Sequence, residues 1–239
     1  TGNLTLTANA QVQEVVYDPH SKKASGVRYV DTQSKQSVTV SARVVFMCAS
    51  ALASVQILLN SRSETFPNGI GNTSGALGHY ITDHVGGAGA WGRAPGHLDV
   101  YYKGRRPGSI YIPRFRNLED DENNDFLRGY GYQGGASRGS WRGAADKDGI
   151  GAEFKQANRL PGDWVMNIWG FGEMLPRYEN RVYLDPEKTD QWGMPQLVIS
   201  VEHDKNVEKM REDIMQSAVE MLKAAGFEDV EGSNGSNGE

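Results

Sequence analysis

The side chains best suited to chemistry are few in this chain: five histidines, one cysteine and scattered carboxylates. His20, His79, His84, His97 and His203 show no HxH, HExxH or facial-triad spacing, so the sequence offers no ligand set for zinc or iron. The single thiol, Cys48, excludes an internal disulfide framework and any Cys-x-x-Cys site, and is compatible with a reducing compartment. No GxSxG elbow occurs, and no Cys–His pair has a third member, so nucleophilic hydrolysis is unsupported. Gly69-Ile70-Gly71 lacks a preceding strand and the rest of GxGxxG, and there is no P-loop. Asp83-His84 is the one pairing of note, with a hydrogen-bonded structural histidine as its plainer reading.

The elements that must carry these residues are mostly strands. With 239 residues the chain has room for one large or two small cores. No apolar run approaches the roughly 20 residues of a membrane helix. A net charge of −5 argues against nucleic acid as a main partner. Gly at 29 residues implies many tight turns and bulges. Short strands are expected at 4–7, 12–17, 26–30, 37–40 and 44–49, with turns at Asp18-Pro19-His20-Ser21 and Thr32-Gln33-Ser34-Lys35. The last, VVFMCA, is a continuous apolar run of the kind covered on both faces. Ser50 then caps a helix to about Ser61.

Beyond it, 85–92 and 109–115 read as strands, and FLRGYGYQGGASRGSW (126–141) as one long bent strand. Its alternation sets Tyr130, Tyr132 and Gly134 on one face and Gly131, Gln133 and Gly135 on the other. Tyr101–Pro107 is an aromatic and basic loop, and Glu119–Asp125 an acidic loop tip. Residues 151–157 suit a short helix, and strands resume at 161–175, 181–184 and 196–201. The clearest helix is Asp204 to Ala225, with Val207, Met210, Ile214, Ala218, Met221 and Leu222 at helical spacing and Gly226 as its stop. The organisation is a small α/β segment (1–62), a larger antiparallel sheet with a flanking helix (63–230) and a linker-like tail (231–239).

Within this frame VMNIWGFGEMLPRYENRVYLDPEKTDQWGMP (165–195) is two strands about a polar corner. Its words GE-x-LP-x-x-x-NRV-x-LDP and D-x-WG-x-P resemble the glucose–methanol–choline (GMC) family of flavin oxidoreductases, in particular its sugar-oxidising branch of glucoside 3-dehydrogenases and pyranose-oxidase-like enzymes. Four more words are similar in the same order. They are LTLTANAQVQEVVYD…VSARVVFMCASALASVQILLNS, GN-x-SG-x-LG-x-x-x-x-DH (71–84), YYKGRRPGSIYIPRFRN and GYGYQGGASRGSW. The resemblance implies an α+β fold: a partial FAD-binding α/β segment followed by a substrate domain on a large antiparallel sheet.

It implies hydride transfer from a sugar or glycoside CH–OH group to FAD, with a histidine base taking the hydroxyl proton. Reoxidation would be by oxygen, a quinone or a haem protein. Val12 falls where the family's backbone meets the adenine, and Cys48, Ala49 and Ser50 near the ribose and phosphates. Asp83 and His84 fall where its chain passes the flavin. Gln133, Asn167 and Trp169, with Tyr132 and Arg114 behind them, are the expected sugar contacts. Amides hydrogen-bond hydroxyls and rings stack on a sugar's C–H face. Glu173 and Arg181 are expected to pair at the corner.

Two family features are not in this sequence, the GxGxxG unit and the His-bearing word that supplies the base. The chain also opens on Thr1 and ends in EGSNGSNGE, so the expectation is an internal fragment, inactive and weak in FAD binding alone, from a cytoplasmic or periplasmic parent. The rival expectation is a non-catalytic β-sheet binding or interaction domain.

Overall fold

The computed structural model describes residues 2–99, 109–118, 125–138, 149–159 and 162–235. The fold is α+β, dominated by antiparallel strands. The expected loop at Tyr101–Pro107, nearly all of the acidic tip and the last three residues of the long bent strand lie outside the described residues. The chain divides into two units, Thr1–Thr82 with Pro176–Glu202, and Asp83–Leu175 with His203–Glu239.

In the first unit β1 (Ala10–Asp18), β2 (Lys23–Asp31) and β3 (Ser37–Ser41) form an antiparallel meander. Its turns are fixed by aspartates. Asp18 accepts from the hydroxyl and N–H of Ser21 and the N–H of His20, and Asp31 from the N–H groups of Ser34 and Gln33. These bonds hold both carboxyls below their usual range. Helix α1 (Ala51–Asn60) starts at Ser50, whose Oγ accepts from the N–H of Ala53. Its far end is pinned to β1. Ser61 Oγ accepts from the N–H of Val15 at 2.8 Å and donates to Ile57 O, while Asn60 donates to Gln13 O.

The same unit takes in β9 (Arg181–Thr189) and β10 (Pro195–Ser200), an antiparallel pair. Gln56 of α1 donates to Pro195 O, and the N–H of Val182 donates to Gly78 O. These contacts hold residues 63–82 and 176–202 in the first unit beside residues 1–62.

Two expected strands are absent. Residues 4–7 and 44–49 run without ladder partners, and Leu4, Leu6, Val44 and Phe46 are exposed. A strand needs a neighbour for its backbone groups, and no described strand pairs with either segment.

The second unit is one sheet backed by one long helix. Its strands are β4 (His84–Val85), β5 (Gly89–Ala94), β6 (Ile110–Ile112), β7 (Tyr130–Arg138), β8 (Trp164–Glu173) and β11 (Glu228–Ser233). The order is β11-β5-β8-β7-β6, with β4 also on β8, and all pairings are antiparallel. A short helix, α2 (Gly151–Ala157), precedes β8. Strand β11 includes residues 231–233, which composition alone assigns to a flexible tail. Arg93 helps hold it, bonding Asp229 at 2.8 Å, Asp163 at 3.1 Å and Glu228.

Helix α3 (Lys205–Ala224) begins at Asp204, which accepts from the N–H of Val207, and stops at Gly226 with φ +84°. Val207, Met210, Ile214, Ala218 and Leu222 are buried against Val85, Ala88, Ala90, Tyr130, Tyr132 and Ile168 of the sheet. Each large apolar side chain buried there stabilises by about 1.5–3 kcal/mol. Close approach rests on glycine. A Cβ on Gly170 would lie 2.4 Å from Ile214 Cγ2, and one on Gly172 2.3 Å from Met210 Sδ. Among the described residues no helix is long and apolar enough to cross a membrane.

Candidate functional site

Because α3 covers one face of the second unit's sheet, the strand parities decide what the other face presents. The register pairs Gln133 with Tyr111 on one side and with Trp169 on the other, and Trp169 in turn with Gly89. The adjacent row is Gly135, Asn167 and Trp91, and Gly131 with Phe171 flank on the other side. Gln133 and Asn167 are therefore diagonal neighbours, with backbones about 7–8 Å apart. Gly89 gives the Trp169 ring its place: a Cβ there would meet Trp169 Cε3 at 2.7 Å.

Gln133, Asn167, Trp169 and Phe171, with Ser109 and Ser137, line an open cavity of about 560 Å³. Two amides and two hydroxyls lie there beside an indole and a phenyl ring. Among the described residues none that lines it is titratable, so these side chains can bind and orient a polyhydroxylated ligand and do not themselves take a proton. His84 lies on β4, next to β8. It pairs with Glu173 on β8, and its ring meets Phe171 edge-on at 6.2 Å. Its backbone N–H donates to Asp83 Oδ1 at 2.7 Å.

The structure thus brings Gln133, Asn167, Trp169 and His84 to one sheet face. It does not bring the other two expected sugar contacts there. Tyr132 has the opposite parity, is fully buried, and donates its hydroxyl to Ile214 O at 2.6 Å. Burial pushes that phenol well above its usual range. Arg114 is exposed after β6, donates to the backbone carbonyls of Arg116 and Asn117, and lines a different cavity with Phe115 and Met221.

Phe171 was legible from parity with Asn167 and Trp169. Tyr111 and Trp91 were not, because they reach this face through the register of β6 and β5. Of the expected Glu173–Arg181 pair, Glu173 lies in the second unit and pairs there with Arg128 at 3.6 Å, and Arg181 lies in the first, over the Tyr183 ring.

Behind the sheet, Tyr130 donates to Asp213, which is also held by Arg116 at 2.9 and 3.1 Å, and Arg116 reaches Ser217. Burial first, and then Asp213, pushes the Tyr130 phenol up. This network fixes α3 on the sheet and does not touch the cavity.

In the first unit Cys48, Ala49 and Ser50 are exposed and small, and they precede the N-terminus of α1. Val12 lies in β1 opposite Tyr29, beside the bulge that sends the Gln13 carbonyl to Asn60. Among the described residues no group of three or more His, Cys, Asp or Glu side chains could hold a metal.

Residues 1–86 match the family model described as GMC oxidoreductase. The chain is 28% identical over 209 residues to 2-methyl-1,2-propanediol dehydrogenase from Mycolicibacterium austroafricanum, covering 84% of this chain and 36% of that protein. It is 24% identical over 209 residues to the fructose dehydrogenase large subunit from Gluconobacter japonicus, covering 82% of this chain and again 36% of the relative. The chain spans about a third of the length of the curated relatives it matches. By its first 86 residues and by these two dehydrogenases, the chain is similar to the GMC oxidoreductases.

Proposed function

We propose that this chain is the substrate-facing part of an FAD-dependent oxidoreductase that oxidises a CH–OH group of a sugar, glycoside or related polyol. The observation that carries the reading is the amide-and-aromatic face around Gln133, Asn167 and Trp169. A small apolar substrate would leave both amides unsatisfied, whereas a ligand with several hydroxyls pairs with them and stacks on the rings. Both relatives carry the name of a substrate with more than one hydroxyl, a diol and a sugar.

The residues present fit a flavin nucleotide in part. At the start of α1 the N–H groups of Ala51 and Leu52 have no intrahelical acceptor, and small exposed residues precede them, which suits a phosphate approaching the positive end of a helix. When bound, FAD supplies the hydride acceptor. This chain's own work is to hold the substrate. Gln133 and Asn167 fix its hydroxyls, Trp169 and Phe171 fix the plane of its ring, and the glycine-rich strands let it approach the sheet.

The test is on the complete protein that contains this chain. A flavin spectrum that bleaches anaerobically on adding a sugar, glycoside or polyol is expected. A flavin-free protein, or a flavin that no polyhydroxylated compound reduces, contradicts the reading.

A further inference from the structure

Another cavity, of about 270 Å³, lies wholly within the first unit and shares no described residue with the cavity around Gln133 and Asn167. Its wall includes Arg62, Asn68, Asn72, His79 and Arg181, and among the described residues none that lines it is acidic. Neither Arg62 nor Arg181 has a carboxylate within ion-pair distance among the described residues. Arg62 instead donates from Nε to Leu59 O, and Arg181 lies 5.1 Å over the Tyr183 ring. His79 and Arg181 sit directly opposite each other in an antiparallel bridge, which brings their side chains to the same face.

The site is rigid. Asn72 is locked on both sides, donating to Asn68 O and accepting from the N–H of Leu77. Gly78, at φ +87°, lets the loop lie against β9, where a Cβ would meet Val182 O at 2.4 Å. The buried Asn180 ties the same strand to Glu202 through both ends of its amide. His79 Nδ1 donates to Tyr178 O at 2.7 Å, and its ring stacks on Tyr178, which leaves Nε2 for another partner.

We infer that this cavity is a binding site for a phosphate group, free or as the ester of a small molecule. Two guanidiniums with no counter-charge among the described residues make up the donor set that such a dianion requires, and arginine forks match its oxygens. The site is distinct from the stretch Cys48–Ser50. Leu59 and Arg62 lie at the other end of α1, about 15 Å along its axis.

The test uses the complete protein with its flavin site already filled, titrated with inorganic phosphate and, separately, with glycerol phosphate. Binding is followed by calorimetry and by the ring resonances of labelled histidine, with His79→Gln to assign the signal. Saturable binding that shifts the His79 resonance is expected, weakened at least about ten-fold by Arg181→Gln and by Arg62→Gln. Arg181→Lys, which keeps the charge and loses the fork, should fall between. Tighter binding of the ester identifies an esterified ligand; tighter binding of inorganic phosphate identifies the free ion. Absence of binding, a silent His79, or binding unchanged in both glutamine variants overturns the inference. Each variant's unchanged melting temperature without phosphate guards against loss of fold.

Discussion

At the scale of single residues, Tyr132 and Gln133 are neighbours with opposite tasks. Tyr132 points into the core and satisfies the carbonyl of Ile214, whereas Gln133 faces the open cavity. Tyr132→Phe removes a buried hydrogen bond to a carbonyl that keeps its helical N–H partner, which should cost about 0.5–1.5 kcal/mol of stability while leaving substrate binding unchanged. Thermal denaturation and KM measured on the same preparation check both halves. The two buried phenols also set an alkaline limit. Their folded-state values are raised above those of the unfolded chain, so between the two values the unfolded state holds fewer protons. The stability they contribute is complete below about pH 10 and is lost as pH rises beyond it. Denaturation midpoints taken from pH 8 to 11 should fall above about pH 10, and Tyr132→Phe should flatten that fall.

At the scale of elements, the sheet-and-helix layer depends on small residues where α3 crosses β8. Gly170→Ala or Gly172→Ala places a Cβ within 2.4 Å of Ile214 or Met210, so overpacking should destabilise the fold by about 1–3 kcal/mol, read from the urea midpoint. Asp204→Ala removes the cap of α3 and should cost about 1 kcal/mol by the same measurement. Helix α3 was legible almost to the residue, because its cap, its buried stripe and its glycine stop all agree. The glycine-rich β7 and β8 were legible for the same reason, since alternation separates Tyr132 from Gln133 before any coordinates are known.

Segments 4–7 and 44–49 misled, since an apolar or alternating run states a preference and strand pairing needs a partner. Arg114 misled because its reach is decided by its bonds to the carbonyls of Arg116 and Asn117, and no spacing reveals that. Tyr111 and Trp91 stayed hidden because cross-strand register is a long-range property, set by β6 and β5 meeting strands distant in the chain.

At the scale of the whole molecule, the proposed function divides its work between the two units. One unit offers an exposed helix start, and the other a sheet whose open face carries Gln133, Asn167 and Trp169. The central claim is that this open face binds the substrate. The most direct test is kcat/KM of the complete protein for its best sugar or polyol, compared between Asn167→Ala with Trp169→Ala on the open face and Tyr132→Phe on the covered one. Each truncation on the open face should lower kcat/KM by about ten-fold or more with flavin content unchanged, while Tyr132→Phe stays near wild type. Wild-type kcat/KM in both open-face variants would contradict the account.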